Sequence, residues 1–222
     1  MISYPRAMPE VGAMAISFEK QEVDYMSPET GGRIGGVGAG FPLWRMRMSL
    51  QNMSVRDADE WSAFIATLRG SRRAFIAHDL TRQRPRFPEG GPFSEVAATW
   101  SQSINADGDA LLTLTGLLAG MPLVLRDYIG FRWDAAGAPA GSHGRLALVR
   151  VVERGAANVA GTVTVTVEPP VPNIVPAGAQ AYFRKPSCLM KIVTGSTQLG
   201  EHVLGGYTAQ GGVIEAVQEL LR

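Results

Sequence analysis

Apolar and polar positions alternate strictly along Phe41–Leu50, with Trp44, Met46 and Met48 on one side and Leu43, Arg45 and Arg47 on the other. A period of two marks a strand with one buried face. A few residues later the period changes. Ala58, Trp61, Phe64, Ile65 and Leu68 recur at the i, i+3, i+4 spacing of one helical face, which predicts a helix over residues 55–69. Ser54 is placed to cap it, Asp57 stands three residues on, and Gly70 is placed to end it. A β-forming run, Arg73–Asp79, follows at once, so the helix is predicted to pack beside a strand.

Around this unit the chain reads as strands and turns. Met14–Glu19 alternates, and from about Ser103 short apolar runs (111–118 and 123–128) are separated by turn residues, among them Asp107-Gly108-Asp109 and the Gly/Ala-rich stretch 135–144. Arg145–Glu153 and Gly161–Pro170 continue the series; in the second, Val163, Val165 and Val167 face a core and the threonines face out. Four or more strands within about 80 residues describe a small β-barrel or sandwich. Ser187–Val193 reads as one further strand. The spacing of Val213, Val217, Leu220 and Leu221 predicts a short C-terminal helix.

Two segments predict no regular structure. Gly31–Gly40 holds six glycines, but its spacing matches neither dinucleotide-binding nor phosphate-loop patterns and no helix follows. It reads as a mobile connection ordered by a neighbour. Thr81–Pro92 is broken by prolines and glycines and carries Arg82, Arg84 and Arg86, close in sequence to Arg69, Arg72 and Arg73. Nucleic-acid binding needs interleaved aromatics and a basic balance that this cluster lacks. A solvated face, or salt bridges to a neighbouring subunit, is the expectation.

Composition narrows the class. The 222 residues are 45% apolar and 18% charged, enough for a sizeable core in one large or two small domains. So low a charged fraction suggests surface covered by partners. A net charge of +1 gives no global field toward nucleic acid or membranes. Cys188 has no second cysteine to pair with, which fits a reducing compartment, and its apolar neighbours predict a buried thiol. Residues 1–6 lack a signal-peptide layout, and no apolar run reaches the roughly 18 to 20 residues needed to span a bilayer. The longest candidate, Ala110–Leu125, is interrupted by Gly116, Gly120 and Pro122, so a soluble protein without membrane insertion is expected.

Catalytic templates find no match. There is no nucleophile elbow, and His78-Asp79 has no partner nucleophile and reads as an exposed strand end. Three scattered histidines and one cysteine do not make a zinc site, and the Asp107–Asp109 turn lacks the oxygen ligands of a calcium loop. No catalytic residue, metal or cofactor is expected.

The order of pieces is similar to that of a known family. The alternating strand with Leu43-Trp44, the helix ending Trp61-Ser-Ala-Phe-Ile-Ala-Thr-Leu-Arg-Gly70, then Phe75 and Asp79, lead to a β module. That module runs through Arg150-Val-Val-Glu153 to Ala160–Pro170, and the strand Cys188-Leu-Met-Lys191 returns from it. This layout resembles the distal tail proteins of long-tailed bacteriophages and related gene-transfer particles. The resemblance implies a mainly β fold: an N-terminal β-sandwich with one helix in residues 1–102, an inserted peripheral β-barrel or sandwich in 103–182, and a return segment in 183–222. It further implies a homohexameric ring linking tail tube to tail tip, with the tube protein and tip hub proteins as partners. The location implied is the virion tail tip, after synthesis in the host cytoplasm. Arg33, Arg82, Arg84 and Arg86 are the candidate subunit-interface residues. Other readings stay open: another minor tail or hub protein, a hydrolase with spatially paired carboxylates, or a carbohydrate-binding module. In that last case Trp100 and Trp133, with Tyr128, would contact a host surface glycan.

Overall fold

The computed structural model describes residues 4–22, 24–28, 34–38, 40–86, 91–139, 141, 143–200, 208–209 and 211–220. In chain order, β1 (Arg6–Ala7), β2 (Ala13–Gln21), β3 (Asp24–Pro28), β4 (Ile34–Gly38), β5 (Leu43–Leu50) and β6 (Met53–Ser54) precede the helix α1 (Val55–Leu68). After β7 (Phe75–His78) come β8 (Thr99–Ile104), β9 (Ala110–Thr115), β10 (Pro122–Leu123), β11 (Tyr128–Trp133) and β12 (Arg145–Val151). Then follow β13 (Gly155–Ala156), β14 (Val163–Glu168), β15 (Gln180–Tyr182), β16 (Ser187–Ile192), β17 (Thr208–Ala209) and β18 (Val213–Gln218). The fold is mainly β with a single helix among the described residues.

The first six-stranded sheet has the order β1-β7-β16-β18-β5-β2, antiparallel except for the β1–β7 pair. In β5 the alternation behaves as the sequence predicts: Trp44, Met46 and Met48 are fully buried while Arg45 and Arg47 face solvent. Trp61, Phe64 and Leu68 of α1 share that core. Ser54 caps the helix, its hydroxyl accepting from the Asp57 N–H. At the other end Arg69 (φ 53°) and the expected Gly70 (φ 66°) are both left-handed, and the chain leaves the helix through the pair.

The C-terminal helix expected from the spacing of Val213, Val217, Leu220 and Leu221 does not form. Residues 213–218 are the strand β18, held between β5 and β16. Short apolar runs fit either period, and a vacant central slot with ladder partners on both sides favours the β-branched Val213, Ile214 and Val217 as strand. Ile214 and Ala216 then lie beside Met48 and Met46 in the core.

The strands of the second sheet all lie between β7 and β16 in sequence, in the order β15-β11-β12-β14-β9-β8. Its outer edges are drawn together. The Ala97 N–H donates to the Ala181 carbonyl (3.0 Å) and the Phe183 N–H to that of Glu95 (2.9 Å), closing one end of a barrel. Further along, side chains replace the backbone ladder. The Trp100 indole donates to the Ala179 carbonyl (2.8 Å), and the Gln102 amide both accepts from the Val171 N–H (2.6 Å) and donates to its carbonyl (3.3 Å). An edge strand that would otherwise invite another chain is thereby occupied. Leu112, Leu114, Ile129, Phe131, Val149 and Val165 fill the interior.

Barrel and first sheet share side chains. Trp44 packs edge-on against Tyr128 (5.6 Å between ring centres), and its indole donates to the Leu148 carbonyl (2.8 Å). The Tyr128 hydroxyl donates to the Phe18 carbonyl (3.1 Å). Leu146 and Tyr182 pack with Leu189, and a side chain at Gly130 would come within 2.5 Å of the Tyr182 ring, so only glycine fits there. Charge reinforces the joint: Glu19 bridges Arg126 (2.9 Å) and Arg150 (2.6 Å), and Lys20 pairs with Glu168 (2.8 Å).

Candidate subunit-interface site

The described part of the glycine segment is ordered as strand. Ile34–Gly38 pairs with Asp24–Pro28 in an antiparallel hairpin, in place of the mobile connection expected from composition. Backbone pairing needs no side chains, which is how a glycine-rich run can be a strand. No other strand of the described residues pairs with the hairpin. Tyr25 is 70% exposed and Met26 76%, and successive strand residues point to opposite faces, so each face of the hairpin carries an exposed large apolar side chain. Two strands alone are at best marginally stable in water.

The arginine candidates separate. Arg33 lies outside the described residues. Arg82 is committed within the chain: its guanidinium pairs with Asp127 (3.1 Å), a carboxylate with no exposed side-chain surface. The other Asp127 contacts are the backbone N–H groups of Arg86 (3.2 Å) and Val124 (2.8 Å). The loop is thus tied to its own barrel at Arg82 and Arg86, while the side chains of Arg84 and Arg86 are exposed.

The aromatic candidates do not form a sugar platform. Tyr128 is buried in the joint. Trp100 stands against Phe131 (4.9 Å) and stitches the barrel seam. Trp133 is partly buried against the barrel core.

His78-Asp79, expected at an exposed strand end, is buried instead, because β7 lies inside the sheet between β1 and β16. The Asp79 carboxylate accepts from the N–H (2.8 Å) and hydroxyl (2.7 Å) of Thr81. His78 Nε2 lies 3.4 Å from Glu10 Oε1, and Glu10 also pairs with Lys185 (2.6 Å). Burial lowers the His78 imidazole below its ordinary value of 6.5; Lys185 acts in the same direction, and Glu10 and Asp79 oppose. A lowered value means that the unfolded chain binds the proton more readily, so stability is complete above 6.5 and declines as pH falls toward the folded value. The unfolding free energy from urea titrations should therefore fall between about pH 7.5 and 5.5, by no more than about 1.4 kcal/mol per pH unit. His78→Gln should flatten that slope, and an unchanged slope would show that other groups carry it.

A basic recess of about 240 Å³ lies where the turn after α1 meets the start of β12. Arg72, Arg73, Arg145 and Lys191 line it against the single carboxylate Glu219. Arg73 stacks on the Tyr4 ring (4.3 Å) and donates to the Thr67 carbonyl (2.9 Å), and Lys191 pairs with Glu219 (2.7 Å). Arg72 and Arg145 have no ion-pair partner among the described residues. Sequence reasoning grouped Arg72 and Arg73 but missed Arg145 and Lys191, which only the sheet topology brings to the same place.

Among the described residues no group of three or more potential ligands is placed to hold a metal, and no helix is long and apolar enough to cross a membrane. Cys188 is fully buried, and burial pushes its thiol far up, so it is a core side chain and not a nucleophile. No family model matches the chain, and no curated protein matches it.

Proposed function

We propose that this protein is a ring-forming structural subunit at the distal end of a phage tail or a related particle, joining the tail tube to the tail tip. The observation that carries the reading is the β3–β4 hairpin, which pairs with no other strand among the described residues and exposes Tyr25 and Met26 on its two faces. An arm of this kind gains most when another protein covers it, and head-to-tail contacts close into a ring when the rotation permits. The layout of the chain adds support, since it resembles distal tail proteins in the placing of strand, helix and barrel. No catalytic role is part of the proposal. Attachment to a host glycan has no observation in its favour, because Trp100 and Tyr128 are engaged inside the protein.

Light scattering across a concentration series, with negative-stain imaging, tests the reading. Hexameric mass and annular particles are the expected result. Tyr25→Ser with Met26→Ser should raise the concentration needed for assembly at least tenfold while leaving the fold intact. A chain that stays monomeric throughout and is missing from tail tips by immunogold labelling would overturn it.

A further inference from the structure

We infer that the basic recess at the C-terminal end of α1 is the docking site for the acidic first turns of α1 from a second copy of this chain. The inference rests on the ring reading and names the contact that closes the ring. Arg72 and Arg145 line the recess from different parts of the fold, Arg72 from the turn after α1 and Arg145 from the start of β12, and neither has an ion-pair partner among the described residues. With Arg73 and Lys191 they outnumber Glu219 four to one. At the other end of the same helix, Asp57, Asp59 and Glu60 outnumber Arg56 three to one. A helix of 14 residues sets those two ends about 20 Å apart.

The choice of partner follows from the balance of charge. Lys and Arg number 21 and Asp and Glu 20, so a local excess of cations must be matched by an excess of anions elsewhere on the same surface. Opposite patches at the two ends of one element cannot meet within a monomer. They meet when each copy presents its acidic end to the basic end of the next, which is a heterologous contact. Complementary potentials of this kind set register and association rate, and salt screens them. The Asp57 carboxylate belongs to the helix cap and Asp59 has contacts of its own, so Glu60, exposed and without a partner among the described residues, is the leading contact group.

The test is a charge swap in the full-length protein. Arg72→Glu with Arg145→Glu, and separately Asp59→Arg with Glu60→Arg, should each raise the assembly midpoint in light scattering at least tenfold. Circular dichroism should show both variants folded. Combining all four substitutions in one chain should restore assembly to within a few-fold of wild type, and the wild-type ring should loosen as salt rises. Wild-type rings that neither reversal weakens would overturn the docking inference and leave the ring reading standing. Loss on reversing the basic recess alone, without loss on reversing the helix start, would overturn the named partner. A wild-type chain that is monomeric even at low salt would overturn both.

Discussion

Trp44→Ala is expected to cost about 3–5 kcal/mol, the range for deleting a large buried aromatic, and to lower the melting temperature by on the order of 10 °C. Trp44 has no exposed surface, and it lies in the first sheet's core together with the barrel residues Tyr128 and Leu148. Its ring meets Phe18 (5.7 Å between ring centres) on the first sheet and Tyr128 (5.6 Å) on the barrel. Its backbone N–H donates to the Gln218 side chain (3.2 Å) and its indole to the barrel carbonyl of Leu148 (2.8 Å). Removing the side chain leaves a cavity at the joint and a carbonyl without its donor. Trp44→Phe keeps most of the packing and loses the indole hydrogen bond, for which about 1–2 kcal/mol is expected. Trp61→Ala is the comparison: that residue is as deeply buried, but its indole donates to Val11 (2.9 Å) within the first unit. Hydrogen exchange should separate the two variants. Trp44→Ala should raise exchange in both β5 and β11–β12, and Trp61→Ala mainly around α1. Equal patterns would show that Trp44 does not couple the two sheets.

What the sequence disclosed follows from how local each signal is. The alternation of Trp44, Met46 and Met48 and the i, i+3, i+4 face of α1 depend on neighbours in sequence, and both are present as read. The valines of β14 face the barrel core for the same reason. The last strand was misread because Val213 and Val217 fit a helical face when taken alone. Only the partners β5 and β16, far away in the chain, decide between helix and strand. Trp100 looked like an exposed platform because the chain gives no hint that residues 171–179 return to it. The same limit hid the recess, whose Arg72, Arg145 and Lys191 converge through sheet order and not through spacing. Asp127 was missed too: in sequence it is one carboxylate beside an aromatic, and its role depends on a loop 40 or so residues earlier.

That carboxylate carries the second large effect. Asp127→Ala is expected to destabilise by on the order of 3–5 kcal/mol, as when one partner of a buried ion pair is removed. It strands the Arg82 guanidinium, which is 14% exposed, and the N–H groups of Val124 and Arg86. Burial raises the Asp127 carboxyl above its ordinary value, against the opposing pull of the Val124 and Arg86 N–H groups and Arg82. A raised value means that the folded protein holds the proton to higher pH than the unfolded chain. This contribution is then complete below the unfolded value and is lost as pH rises through the folded one. The stability gap between wild type and Asp127→Ala should accordingly widen on mild acidification. A gap that closed would mean that Arg82, and not burial, sets the titration. Proteolysis gives an independent readout. With its anchor gone the loop should open, and trypsin should cut after Arg82 or Arg86 well before the barrel unfolds, sparing Arg84 because Pro85 follows it. Unchanged cleavage would show that the loop is held by contacts other than Asp127. Rapid nicking would establish that the arginine loop is pinned from within its own subunit, leaving only the exposed side chains of Arg84 and Arg86 to face a neighbour.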